Sequence, residues 1–161
     1  MKTHMIAAMF GAALIATPAA AQVTAPADYV AAAGASDLYE ITSSRLVLQT
    51  TQDPKIRRFA QMMITHHTKS TADVKAAAAK ARVKAPPPAL NPMQQQMVTE
   101  LTAQSGTARD TTYVAQQRPA HQQALTLQQT YAAQGTAAPL KAAAAKIVPV
   151  VQQHIAMLQA M

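Results

Sequence analysis

Three consecutive prolines, Pro86, Pro87 and Pro88, stand near the middle of the 161-residue chain and constrain its architecture more than any other feature. Proline fixes φ and lacks an amide proton, so residues 84–90 cannot be helical and are predicted to run extended as polyproline II. Both flanks carry helical periodicity instead. Residues 27–50 place Val30, Leu38, Ile41 and Leu48 at helical spacing with no proline between them, which predicts helix A. Asp53-Pro54 then supplies an N-cap followed by proline at the first helical position. From there Ile56, Phe59, Ala60, Met63, His67, Ser70, Val74 and Ala78 carry the period to about Arg82 as helix B. Beyond the prolines, Asn91-Pro92 restarts a helix. Residues 93–103 form its first piece, Gln104-Ser105-Gly106 a break, and 107–134 helix C, ended by Gly135. Residues 139–161 form helix D. The short A/B and C/D turns make each pair an antiparallel hairpin. The expected fold is all-α, an antiparallel four-helix bundle, ferritin-like, with a Pro-rich crossover between helices B and C that is able to cross the end of the bundle.

Composition narrows the chemistry. Aromatic residues make up 4% of the chain and Trp is absent, which argues against a β-sandwich core, while Ala-rich stretches suit closely spaced helices. With 50% hydrophobic and 13% charged residues the chain is expected to fold as one domain over residues 22–161. The lack of cysteine excludes disulfides, thiolate metal sites and thiol catalysis, so any metal must be held by His, carboxylate or Met. Residues 1–21 read as a signal peptide: Lys2 and His4 precede an apolar run from Met5 to Ala16, and Pro18-Ala19-Ala20-Ala21 offers small residues for cleavage before Gln22. That run of about 12 residues is well short of the roughly 20 that span a bilayer, and no transmembrane segment is expected in the mature chain. The mature protein is expected to be exported, to the periplasm where the cell has two membranes, with surface-associated or secreted locations as alternatives. The net charge is +7, but Lys55, Arg57, Arg58, Lys69, Lys75, Lys80, Arg82 and Lys84 are spread around helix B with no interleaved aromatics to stack bases. No nucleic-acid partner is expected. The charge implies only a weak attraction to an anionic envelope surface, and nothing in the sequence sets the oligomeric state.

The histidines carry most of the functional information. Advancing about 100° per residue from the apolar stripe of helix B, His67 falls about 20° from its centre and His66 about 80° away, at the stripe's edge. On helix D, with Leu140, Ile147, Val151 and Leu158 inward, His154 lies about 50° from the centre. The inward stripe of helix C contains Asp110, Tyr113, Gln117, His121, Ala124, Gln128 and Tyr131, too polar for an ordinary core. Three helices thus each aim one histidine inward. Helix A offers carboxylates: measured from Leu38 and Ile41, Asp37 lies roughly 50° and Glu40 roughly 110° from the stripe. Angle favours Asp37, whereas Glu40 stands at the same height as His67. His121 and His154 differ in height by roughly 7 Å, which bends at Pro119 and Pro149 would have to absorb.

Facing helices can deliver such ligands to one point in a dry core. The di-iron signature Glu-x-x-His is absent, because Ile64 and Val151 stand three residues before His67 and His154. A site of this kind is rich in His and poor in carboxylate, which favours copper or zinc over a di-iron centre, and Met63 and Met157 could add soft sulfur for copper(I). The competing reading makes each histidine a core residue satisfied by a carbonyl, Gln or Tyr, and the methionines ordinary core filler.

The stretch Tyr29-Val30-Ala31-Ala32-Ala33-Gly34-Ala35-Ser36-Asp37-Leu38-Tyr39-Glu40, followed by Phe59-Ala60-x-x-Met63-Ile64-x-His66-His67-Thr68, resembles the bacterial domain of unknown function 4142 family. Asp110-x-x-Tyr113-Val114-x-x-Gln117-x-x-x-His121 and the segment from Leu140 to His154 resemble its later signature segments. The resemblance covers nearly all of the mature chain. It implies an exported, ferritin-like four-helix bundle without an assigned reaction, in which Glu40, His67, His121 and His154 are the marked polar positions. His66 stands where the family usually has Asp and Tyr29 where it usually has Phe, which puts a carboxylate-rich site in doubt and makes His66 a substitute ligand.

Three functions follow, the third, an oxidase or peroxidase of ferritin-like type, being weakened by the missing carboxylates. In the first, the exported bundle holds one transition-metal ion, copper, zinc or iron, through His67, His121, His154 and Glu40, with Asp37, His66 and Met63 as further candidates, for buffering or stress tolerance rather than catalysis. In the second, the bundle is a metal-free structural or interaction module of the cell envelope, its inward polar groups fixing helix register. Hydrolase motifs such as Gly-x-Ser-x-Gly and His-Glu-x-x-His are absent.

Overall fold

The computed structural model describes residues 25–161; the signal peptide expected over residues 1–21 lies outside them. The described chain forms five helices, α1 (Pro26–Leu48), α2 (Pro54–Lys80), α3 (Pro92–Thr102), α4 (Gly106–Gln134) and α5 (Ala138–Gln159). Proline opens the first turn of α1, α2, α3 and α5, where its missing N–H is one that has no acceptor within the helix. The Asp53 carboxylate accepts the amides of Lys55 (2.7 Å) and Ile56 (3.2 Å), and Asn91 and Gln94 form a reciprocal capping box.

Helices α1 and α2 form one antiparallel hairpin and α4 and α5 the other, with α1 packed on α4 and α2 on α5. Long-range hydrogen bonds set the directions. Tyr29 Oη, at the start of α1, donates to Gln128 near the end of α4 (2.7 Å). At the other end Ser44 meets Tyr113 (2.8 Å) and Thr51 donates to Asp110 (2.9 Å). Thus α2 and α4 run in the same direction, opposite to α1 and α5. This up-down-down-up order with one long connection is the ferritin-like arrangement of a four-helix bundle.

Parallel α2 and α4 place the end of one and the start of the other at opposite ends of the bundle, so their connection must travel its length. It therefore runs along the side of the bundle, which corrects the expectation that it passes over the end. The 27 residues of α2 span about 40 Å. Residues 84–90 at about 3.1 Å each and the 11 residues of α3 at about 1.5 Å each cover nearly the same distance. The turn into this connection is a Schellman motif, with Val83 N–H bonded to Ala78 O (2.9 Å) and Arg82 in the left-handed region at φ 56°. Gly34 lets the proline wall close on α1: a Cβ there would stand 3.2 Å from the Pro88 ring. Helix α3, the 93–103 piece of the sequence reading, then packs on α1 and α4 and buries Leu101.

Two apolar layers fill the bundle. The upper one joins Tyr29, Ala33, Val74, Tyr131, Leu140 and Ala144, with the Tyr29 and Tyr131 rings stacked at 3.8 Å. The lower one joins Val47, Phe59, Met63, Leu101, Tyr113 and Leu158. Between them α1 turns a polar face inward. Tyr29, Ala33, Asp37, Glu40, Ser44 and Val47 are its buried side, whereas Val30, Leu38, Ile41 and Leu48 are only half-buried. The predicted stripe of helix A was therefore centred on the wrong residues. Polar residues face inward between Tyr29 and Val47 because α1 supplies groups to the polar layer.

Candidate metal centre

The polar layer is built from all four long helices. From α2 comes His67, from α4 His121 and from α5 His154, with ring centroids 5.3 to 5.8 Å apart. Each offers a nitrogen within 4.8 Å of the others. A tetrahedral ion with bonds of about 2.0–2.1 Å needs donor atoms about 3.3 Å apart, so modest side-chain adjustment closes the set. The height mismatch expected between His121 and His154 shrinks in the structure. His121 lies 13 residues before Gln134 and His154 lies 16 after Ala138, about 4.5 Å by helical rise, which the side chains span.

The second nitrogen of each ring is anchored, and the anchors define which atom is left over. Asp37 Oδ1 lies 2.8 Å from His67 Nδ1, and because a carboxylate only accepts, Nδ1 carries the proton and Nε2 presents a lone pair. Thr71 Oγ1 donates to the other Asp37 oxygen (3.0 Å). His121 Nδ1 donates to Gln117 O (3.0 Å), again leaving Nε2 bare. His154 Nε2 pairs with His66 Nδ1 at 2.8 Å, the two rings nearly parallel with centroids 5.1 Å apart. The nitrogens left without a hydrogen-bond partner are His67 Nε2, His121 Nε2 and His154 Nδ1, all buried.

Glu40 borders the layer, outside the group formed by the three rings. It is 1% exposed, neither carboxylate oxygen has a hydrogen-bond partner, and Oε1 lies 3.7 Å from His121 Nδ1. An unpaired buried carboxylate is costly unless a cation or donor meets it. The choice between Asp37 and Glu40 resolves into different places for both. Asp37 holds His67 from behind, and Glu40, which the helical angle had turned away, stands against His121.

Electrostatics divides the three rings. Burial lowers the His154 pKa far below its ordinary value, and repulsion from His121, His67 and His66 adds to it. Burial also lowers that of His121; the Glu40 carboxylate opposes this and His67 reinforces it. For His67 burial pulls down, but the Asp37 hydrogen bond and the charges of Glu40 and Asp37 outweigh it and raise the pKa. His121 and His154 are thus neutral imidazoles at neutral pH, the form that coordinates metals, and an ion would displace any proton from His67.

Met63, one turn before His67, is fully buried in the lower apolar layer, and Met157 is half-buried against that layer. His66, read at the edge of the stripe, is half-buried and in direct contact with His154, because α5 packs on that edge of α2. The sequence reading missed Thr71, although its position one turn after His67 carried the signal. It also missed Arg109, which bonds Leu46 O (2.7 Å) and Gln104 O (2.8 Å) and so caps α1 beneath the site. Among the described residues no helix is long and apolar enough to cross a membrane.

A family model described as domain of unknown function DUF4142 matches residues 12–161. No curated protein matches the chain. Among solved structures, a DUF305 fragment from Deinococcus radiodurans superimposes with a TM-score of 0.71 at 15% identity, covering 89% of this chain and 97% of that chain. A DUF305 protein from Streptomyces coelicolor, which bears the words secreted protein in its name, gives a TM-score of 0.65 at 13% identity over 84% of this chain and 90% of its own. At these identities the likeness establishes the fold.

Proposed function

The chain belongs to the DUF4142 family of domains of unknown function, and from that footing we propose that it is an exported protein holding one transition-metal ion between His67, His121 and His154, with Glu40 as fourth ligand. One observation carries the reading: three bare imidazole nitrogens in one buried layer and both Glu40 oxygens at its border lack hydrogen-bond partners. A metal-free network that fixed helix register would pair these atoms with one another. The donor set of three nitrogens and one carboxylate suits zinc, copper(II) or iron(II). Asp37, Gln117 O and His66 stand where outer partners hold the ligating rings in one tautomer and orientation.

The donors are between 1% and 5% exposed, which suits holding an ion over turning over a substrate, so buffering or stress tolerance is the role that fits. Elemental analysis of the untagged protein, purified from the exported fraction without chelator, tests this beside a His67→Ala/His121→Ala variant. Near-stoichiometric copper, zinc or iron that is lost in the variant is expected. No metal above background after reconstitution overturns the reading. Intact mass of the same preparation is expected to begin at Gln22; a retained leader overturns the export part alone.

A further inference from the structure

We propose that His66 is an outer loading ligand, through which an ion reaches and leaves His154. This rests on the metal reading above. Phe59 walls the site below, its ring 6.1 Å from that of His121 and 6.4 Å from that of His154. On the α1/α4 side α3 lies over the bundle, where Gln116 bonds Glu100 (2.9 Å) and accepts from Tyr39 (2.9 Å), and the cavity of about 360 Å³ beside it is lined by none of the site's donors. On the α1/α2 side a cavity of about 650 Å³ descends to Asp37, but Lys75 and Lys84 line it together with alkyl side chains and prolines. A hydrated cation there meets like charge, and at the floor it meets a carboxylate whose oxygens are both already bonded.

The α2/α5 seam is different. Here His66, half-buried and so within reach of solvent, contacts the buried His154 through Nδ1. A pair joined through one 2.8 Å hydrogen bond can exchange a ligand: His66 Nδ1 releases His154 Nε2–H to take the ion in place of a water, the ring turns inward, and His154 Nδ1 replaces it as ligand. The hydrogen bond between the rings breaks and re-forms, and no proton is transferred. Because His66 serves both directions, it sets the rates of uptake and release without setting the equilibrium.

The test is stopped-flow uptake and chelator-driven release of Co²⁺ by the metal-free mature chain, for wild type, His66→Gln and Lys75→Glu, each checked for native helicity. Gln can still accept a hydrogen bond from His154, so a merely orienting role is rescued by it. His66→Gln is expected to slow uptake about tenfold and release in parallel, with Kd moving by less than about threefold, whereas an orienting role alone, rescued by Gln, would leave both rates as in wild type. Lys75→Glu is expected to leave uptake unchanged. Unchanged uptake in His66→Gln overturns the inference, as does faster uptake in Lys75→Glu, which would place the route in the α1/α2 cavity. A wild-type chain that takes up no cobalt overturns the metal reading and this inference with it.

Discussion

Asp37→Asn removes one charge from behind the centre and leaves almost everything else in place. The wild-type carboxylate accepts from His67 Nδ1 (2.8 Å) and from Thr71 Oγ1 (3.0 Å). Asparagine keeps an oxygen for His67, and its amino group can donate to the Thr71 hydroxyl, so volume and bond count survive. What is lost is the anion that makes His67 a more basic ligand. Outer-partner losses of this kind lower metal affinity about 10–100-fold, or about 1.4–2.7 kcal/mol. At saturating zinc in wild type, a domain of this size gains about 4 °C per kcal/mol, so the zinc-induced rise in Tm is expected to shrink by about 5–10 °C. The assay is zinc competition with a chromophoric chelator at pH 7.5, with melts in the presence and absence of zinc. The Asp37 hydrogen bond is also a main upward influence on His67, so the His67 pKa by NMR is expected to fall in the variant. An affinity within about threefold of wild type would refute the reasoning, because the Asp37–His67 contact would then be structural only.

Three further outcomes are expected. Glu40→Gln leaves a neutral amide in a 1% exposed position and is expected to lower zinc affinity about 100-fold while keeping the fold; unchanged affinity in the competition assay would remove Glu40 from the ligand set. Metal-free stability is expected to fall as pH drops from about 7 to about 5. The folded-state pKa values of His154 and His121 lie below the unfolded value of about 6.5, so the unfolded chain binds more protons there; His67, raised, opposes this as one group against two, and a urea midpoint that rose on acidification would contradict it. Gly135→Ala would place a Cβ 2.6 Å from the Tyr131 ring, which its stack on Tyr29 prevents from yielding, so chemical denaturation is expected to show a loss of about 2 kcal/mol, and no loss would contradict the packing.

Where the sequence was legible, a strong periodic signal coincided with burial. The helix C stripe of Asp110, Tyr113, Gln117, His121, Ala124, Gln128 and Tyr131 is buried residue for residue, because those side chains face both the polar layer and α1. The same holds for His67 and for His154. Helix A failed for a physical reason: its inward face must be polar enough for the site, so hydrophobicity pointed to Leu38 and Ile41 and turned Glu40 outward. Prolines located the connector but not its path, since only the pairing of Tyr29 with Gln128 and Thr51 with Asp110 shows that α2 and α4 are parallel. The pairing of His66 with His154 joins positions 88 residues apart and depends on which edge of α2 faces α5, which no single-helix projection contains.

Crystals of residues 22–161 grown with zinc, measured on both sides of the zinc absorption edge, test the central claim most directly. The expected result is one anomalous peak about 2.0–2.1 Å from a nitrogen of each of His67, His121 and His154, with a Glu40 oxygen completing the set. A zinc peak elsewhere on the chain, or none in the polar layer at full zinc saturation, would contradict it.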